Sequence, residues 1–119
     1  MTLLVTCSGI SNTGRLTTLA AHHLIQRDPG CISWVPVQKS PEILRSLIGD
    51  ETESIVLNGC PDCCATKKLR ENGLFPGIEL KVTDLGIQKD GMAEVQYAEI
   101  EIVARAIREI LQKEGEKDA

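Results

Sequence analysis

Two short runs of uninterrupted apolar residues constrain the fold of this chain more than any other feature. Residues 3–5 (Leu-Leu-Val) and residues 55–57 (Ile-Val-Leu) contain no polar side chain. Strands of this composition are typical of the centre of a parallel sheet that helices cover on both faces. Segments with helical spacing of apolar residues follow both runs. The sequence therefore predicts an α/β domain with three layers.

The remaining two predicted strands carry polar residues and fit the edges of the sheet. Residues 31–37 include Pro36, which cannot donate a hydrogen bond within a central strand. Residues 79–83 alternate between apolar and polar side chains. We therefore predict a flavodoxin-like or Rossmann-like fold with a four-stranded, mainly parallel sheet in the order 2-1-3-4. Strands 1 and 3 are neighbours in this order, and ligands of open α/β sheets bind at such a point, beyond the carboxyl ends of the strands.

Four helices complete the predicted domain, at residues 12–26, 42–48, about 61–71 and 94–113. The apolar stripe of the first helix comprises Leu16, Leu19, Ala20, His23 and Leu24. The last helix carries Val95, Ala98, Ile102, Ala106, Ile107, Ile110 and Leu111 at helical spacing. His23 is interpreted as a core residue and not as a metal ligand. Residues 1–113 form one predicted domain, and residues 114–119 a charged tail.

Composition excludes several classes of partner. The formal net charge is -4, whereas a nucleic-acid-binding surface needs a basic patch. Lys67, Lys68 and Arg70 are interpreted as a solvated helix face. No apolar stretch approaches the ~20 residues of a membrane helix, and no signal peptide is recognisable. We expect a cytoplasmic protein without nucleic-acid or membrane partners, and the sequence names no protein partner.

The cysteines are the candidate functional residues of this sequence. The chain has five, an odd number, which favours metal or redox chemistry over a disulfide scaffold. Cys7 follows strand 1 and Cys60 follows strand 3. Because these strands are predicted neighbours, we expect both cysteine side chains in the same crevice. Cys64 lies one turn beyond Cys60 if the third helix begins near Pro61. The sequence predicts that Cys7, Cys60 and Cys64 converge.

Such a cluster of thiolates suits zinc, Cu(I) or an iron–sulfur centre. Zinc is the expected metal, and its usual tetrahedral site has four ligands. The candidates for the fourth ligand are Cys63, Cys31, Asp84 and a water molecule. The metal-site prediction therefore comprises Cys7, Cys60, Cys64 and Cys63. No residue stands out as a catalytic base, so the sequence assigns no reaction.

Three segments of the chain resemble the signatures of the DGC-domain family. They are Cys7-Ser8-Gly9-x-Ser11-Asn12-x-Gly14, Asn58-Gly59-Cys60-Pro61-x-x-Cys64-Ala65-x-Lys67 and Thr83-Asp84-Leu85-Gly86-Ile87. The similarity spans essentially the whole chain in the same order. It implies a small α/β fold with a cysteine-bound metal, zinc, and it places the metal ligands at Cys7, Cys60 and Cys64.

The chain departs from the family pattern at two places. Asn58 stands where the family has the aspartate of its Asp-Gly-Cys tripeptide, which removes a negative charge beside the site. Cys31 precedes the position of the family's cysteine in strand 2 by about three residues. We therefore expect Cys31 at the far end of the sheet, and the additional Cys63 could replace it as a ligand.

Two enzyme classes remain as alternatives to metal binding. The Cys60-Pro61-Asp62-Cys63 segment at a helix start is compatible with a thiol-based redox enzyme that uses Cys60, Cys63 and Cys64. Cys7, followed by a loop and a helix, is compatible with a cysteine phosphatase or an arsenate-reductase-like enzyme. That second class needs an arginine about six residues after the cysteine. Thr13 occupies this position, and Arg15 falls within the predicted helix.

Overall fold

The strands and helices alternate along the chain in the predicted order. The computed structural model describes residues 2–7, 9, 11–27, 30, 32–50, 53–59, 63–75, 77–91 and 93–118. The strands are β1 (Thr2–Thr6), β2 (Ile32–Pro36), β3 (Glu53–Asn58) and β4 (Ile78–Lys81). The helices are α1 (Asn12–Arg27), α2 (Pro41–Asp50), α3 (Cys64–Glu71) and α4 (Tyr97–Asp118), with a 3₁₀ turn at Val82–Leu85.

The sheet has the predicted topology. Its order is β2-β1-β3-β4, and all three strand pairs are parallel. β1 and β3 are the two central strands, in a register that aligns Val5 with Val56. Every side chain in their apolar runs is fully buried. The prediction from composition is confirmed, because only these two strands are apolar enough to be covered on both faces.

Helices cover both faces of the sheet, as expected of a flavodoxin-like domain. Alternate residues of β1 point to opposite faces, so Leu4 packs with α1 and α4 while Leu3 and Val5 pack with α2 and α3. The core on the α1/α4 face comprises Leu4, Leu16, Ala20, Ala21, Leu24, Ile32, Ile55, Leu57, Val82, Ile87, Val103, Ala104 and Ile107. The core on the α2/α3 face comprises Leu3, Val5, Val35, Val37, Leu44, Val56, Ala65 and Leu69.

Three apolar residues that the helical pattern assigned to the core are instead exposed, one of them being Ala98. Leu19 on α1 is 41% exposed, and Ile102 on α4 is 44% exposed. Smaller residues of the same helices, Ala20 and Ala104, are fully buried in the core on this face of the sheet. Leu19 and Ile102 lie at the margin of each stripe and remain partly in water. α4 also continues to Asp118, beyond its predicted end at residue 113.

His23 lies in the interface between α1 and α4, consistent with a structural role. Its Nε2 is 3.2 Å from Oε1 of Glu101, and Nη2 of Arg27 is 3.6 Å from the same oxygen. A hydrogen bond from Tyr97, aided by His23 and Arg27, holds the pKa of Glu101 below its usual value despite partial desolvation. His23 therefore links two helices on one face of the sheet. Among the described residues, no helix is both long and apolar enough to cross a membrane.

Candidate functional site

Cys7 lies at the carboxyl end of β1 and is held by both neighbouring strands. Its backbone N–H donates to the carbonyl of Leu57 at 3.1 Å, which extends the β1–β3 ladder by one residue. On the other side, the N–H of Val37 donates to the carbonyl of Thr6 at 2.8 Å, and the Gln38 side chain donates to the carbonyl of Cys7. Cys7 carries a free thiol that is partly exposed. The neighbouring strands thus hold the backbone that carries this sulfur.

Gly59 brings the chain after β3 into contact with Cys7. A methyl group on Gly59 would lie 2.9 Å from the Cys7 Sγ, and equally close to the backbone of Thr13 and Gly14. Real side chains essentially never show such short contacts, so only glycine fits at this position. The residue bonded to Gly59 is Cys60. The backbone immediately before Cys60 therefore packs against the Cys7 thiol.

The start of α1 forms a second wall beside Cys7. The Ser11 hydroxyl accepts a hydrogen bond from the N–H of Gly14 at 3.2 Å, which confirms Ser11 as the predicted N-cap. The Asn12 side chain holds the loop before α4: it donates to the carbonyl of Gln88 at 2.9 Å and accepts from the N–H of Asp90 at 2.8 Å. Asn12 thereby fixes the segment that carries Lys89.

α3 begins at Cys64 and not near Pro61, so the predicted helical turn between Cys60 and Cys64 is wrong. Cys63, directly before the helix, has a left-handed backbone with φ of 53°. This conformation costs a residue with a side chain roughly 1–2 kcal/mol and interrupts the helical path. The geometry that the prediction used to bring Cys60 to Cys64, one turn of a helix from Pro61, is therefore not available, and Cys60 itself lies outside the described residues.

Asn58 caps α3 from the adjacent strand, a function that Cys63 does not provide. The Cys63 side chain makes no capping hydrogen bond. Instead, Oδ1 of the fully buried Asn58 accepts from the N–H of Thr66 at 3.3 Å, and its Nδ2 donates to the Thr66 hydroxyl at 2.8 Å. Because Thr66 lies in the first turn of α3, this pair anchors the start of the helix to the end of β3.

We expect Asn58→Leu to lower the free energy of unfolding by about 2–3 kcal/mol, since it leaves two buried polar groups of Thr66 without a partner. Asn58→Asp should cost clearly less, because a carboxylate still accepts from the N–H of Thr66 and can also accept from the Thr66 hydroxyl, which then becomes the donor, at the helix N-terminus. Asn72→Leu is the matched control: Asn72 is half-buried at the other end of α3, where its amide donates to the carbonyl of Lys68. Urea unfolding of the three variants tests this, and equal losses for Asn58→Leu and Asn72→Leu would contradict it.

A cleft of about 380 Å³ opens at the carboxyl ends of β1 and β3. Its lining comprises Cys7, Gly9, Ser11, Val37, Gln38, Gly59, Cys64, Lys68 and Lys89. Two of the four predicted metal ligands, Cys7 and the exposed Cys64, thus line one cleft although they come from opposite halves of the chain. The cleft therefore lies where the strand order predicts a ligand site, beyond the carboxyl ends of the neighbouring strands β1 and β3.

Of the other predicted ligands, Cys63 and Asp84 are not among the described residues of this lining. Cys60 and Cys31 lie outside the described residues. Cys63 is partly exposed and is absent from the described cleft wall, and Asp84 is exposed in the 3₁₀ turn. Within the described part of the chain, no three histidine, cysteine or acidic side chains form a group that could hold a metal ion. The assignment of Cys60 and Cys63 as ligands remains a prediction from the sequence.

Arg15 does not take the place that a phosphatase-like site would require. It lies in the first turns of α1, and its guanidinium donates to the carbonyl of Ala93 in the segment before α4. It lines a second cleft, with Gly9, Thr18 and Leu19, and is absent from the lining of the Cys7 cleft. The described geometry around Cys7 thus offers no arginine to an oxyanion.

A comparison with models of known protein families finds a match. The profile of the DGC domain family matches residues 3–107, nearly the whole chain. The chain belongs to the DGC domain family. A comparison with curated proteins finds no match, and a comparison with solved structures finds none either. The match covers β1 from Leu3 onward, the other three strands, both described cysteines of the cleft and both of its lysines, so the described lining of the cleft is part of the DGC domain itself.

Sequence reasoning missed the two lysines of this DGC domain's cleft. Lys68, interpreted as part of a solvated helix face, is half-buried and lines the cleft, whereas Lys67 is exposed. The spacing contained a signal, because Lys68 lies four residues after Cys64 and therefore on the same face of α3. Lys89 had no comparable signal, since its position depends on the contacts of Asn12 with the neighbouring backbone.

Proposed function

We propose that this DGC-domain protein binds a soft divalent metal ion, zinc, through cysteine thiolates at the carboxyl ends of β1 and β3. The observation that carries the proposal is the shared cleft of Cys7 and Cys64. Thiolates are the protein ligands that zinc and other soft metals prefer. Cys7 sits on the rigid centre of the sheet, and such a fixed donor favours a defined coordination geometry. Cu(I) and an iron–sulfur centre are the other groups that this donor set would accept.

Cys60 is the proposed third ligand. It lies outside the described residues, but Gly59, to which it is bonded, packs against the Cys7 thiol. Two ligand-bearing segments can come this close only if the residue between them has no side chain, and Gly59 meets this condition. Cys63 or an exogenous molecule would supply the fourth ligand. Bound zinc would cross-link the ends of β1, β3 and α3, and a reducing compartment such as the cytoplasm would keep the thiols available.

Elemental analysis of untagged, reduced protein, paired with thiol titration, tests the proposal. We expect about one zinc per chain and three or four cysteines that resist alkylation until a chelator is added, because ligation deprotonates the thiols and shields them. The untreated and chelated samples serve as each other's control. Full alkylation of all five cysteines without chelator, in protein that contains no metal, would contradict the proposal.

A thiol-based redox enzyme is the second candidate, and the exposure of Cys64 at the first residue of α3 favours it. In that case two thiols among Cys60, Cys63 and Cys64 would reduce one peroxide to two waters and form one disulfide. The same titration separates the candidates. A redox site alkylates rapidly without chelator and loses two thiols after one equivalent of peroxide, whereas a metal site does neither.

A further inference from the structure

The cleft concentrates positive charge in an otherwise acidic chain. The sequence has 17 acidic residues against 13 lysines and arginines. Lys68 and Lys89 nevertheless both line the cleft, and none of its described lining residues is acidic. In the described part of the chain, neither lysine forms an ion pair. The local excess of cations therefore has no counterpart among the described neighbours.

The two lysines come from separate elements, and the structure restricts the side chain of one and the backbone beside the other. Lys68 projects from α3 one turn after Cys64 and is half-buried, which restricts its side chain. Lys89 lies between Gln88 and Asp90, and the Asn12 side chain hydrogen-bonds the backbone of both these neighbours. Asn12 is itself buried and begins α1. The Lys89 side chain is exposed, but the backbone that carries it is held beside α1, so the two walls of the cleft carry one lysine each.

The other residues of the lining also suit a negatively charged ligand. Ser11 and Gln38 contribute polar side chains, and Gly9 leaves backbone accessible beside the start of the 16-residue helix α1. The N-terminal end of a helix of this length adds a partial positive charge. The cleft volume of about 380 Å³ lies at the low end of the range for small-molecule sites. The space suits a metabolite-sized molecule and not a macromolecule.

We propose that the cleft binds a small anionic molecule whose carboxylate or oxyanion group is held between Lys68 and Lys89. This inference goes beyond metal binding and does not depend on it, because the charges of the two lysines and the Asn12 contacts beside Lys89 involve no cysteine. The cysteines would then lie beside the bound anion. An alternative role for the lysines is to neutralise metal-bound thiolates, and the experiment has to separate the two roles.

Sulfate is the probe, titrated into isotopically labelled full-length protein at constant ionic strength adjusted with sodium chloride. The readout is the movement of the backbone amide signals of Gly9 and Ser11. The titration is run on wild type, Lys68→Gln and Lys89→Gln, each in chelated and in zinc-loaded form. Lys67→Gln is the matched control, because Lys67 is exposed on the same helix and does not line the cleft.

We expect saturable shifts in wild type in both forms. Each cleft substitution should raise the sulfate dissociation constant about tenfold, since it removes one charged contact, and Lys67→Gln should leave it within about twofold. Absence of saturation overturns the proposal, as does equal weakening by Lys67→Gln. Binding only in the zinc-loaded form, insensitive to both cleft lysines, would make the anion a ligand of the metal and also overturn it. Zinc content measured in parallel keeps a failure of metal binding distinguishable from a failure of anion binding.

Discussion

Replacement of Cys7 by serine is expected to weaken zinc binding about 100-fold or more. Loss of residues that only orient a metal ligand already costs 10–100-fold in affinity, and loss of a ligand should exceed this. At free zinc of 100 times the dissociation constant, binding stabilises the folded state by about 2.7 kcal/mol, and a 100-fold weaker variant loses most of this. Cys7→Ser should therefore melt roughly 8–10 °C below wild type when both are zinc-loaded.

The same variant without metal provides the control. Serine is close to cysteine in size, and Cys7 is partly exposed, so chelated Cys7→Ser should melt within a few degrees of chelated wild type. Cys63→Ser, measured in parallel, shows whether Cys63 is the fourth ligand, because only a ligand should reproduce the loss seen at Cys7. Unchanged zinc content in Cys7→Ser would mean that Cys7 only fills space. A redox site at Cys60 and Cys63 would likewise leave this variant nearly unaffected.

Gly14→Ala is expected to destabilise the protein, although alanine is normally better than glycine within a helix by about 1 kcal/mol. A Cβ at this position in α1 would lie 2.7 Å from both C and O of Gly9, and 2.8 Å from its Cα. All three atoms are backbone, so the clash cannot be relieved by a rotamer change. We expect a net loss of about 2 kcal/mol, or roughly 8 °C in melting temperature, measured by thermal and urea unfolding.

Gly9→Ala is the matched control for this prediction. A Cβ on Gly9 would lie 4.0 Å from the Cα of Gly14, which is an ordinary contact. Gly9→Ala, on the other side of the contact between Gly9 and Gly14, should therefore change the free energy of unfolding by less than about 0.5 kcal/mol. If Gly14→Ala stabilised the protein, helix propensity would dominate, and the close packing of α1 on the loop after β1 would be wrong.

Composition was sufficient to predict the order of the strands. Only residues 3–5 and 55–57 are apolar without interruption, and burial on both faces leaves them no place but the centre of the sheet. That order in turn predicted that Cys7 lies beside the end of β3. The location of the cleft could therefore be inferred before any coordinates, because it depends on topology and not on side-chain detail.

The start of α3 could not be predicted in the same way. Pro61 suits the first turn of a helix, and nothing in the local sequence indicates that Cys63 adopts a left-handed backbone. Cys63 is followed by a helix whose cap comes from Asn58, five residues earlier on β3. The interaction requires β3 and α3 to be already packed together. Tertiary contacts of this kind override local preference. They set the orientation of α3, and this orientation places Cys64 and Lys68 on the wall of the cleft.

The two cysteine-bearing walls of the cleft differ in how much structure must open to move them. The backbone of Cys7 directly follows the central strand β1 and is hydrogen-bonded to β3, so a large displacement of Cys7 requires these two buried strands to begin to separate. Cys64 is the first residue of an eight-residue helix that follows a strained residue, and helix ends open at far lower free energy than central strands. Fraying that stops before Thr66, which Asn58 anchors to β3, would release Cys64 while β1 and β3 stay paired. An occupant could thus enter and leave by the α3 side on a time scale much shorter than that of global unfolding.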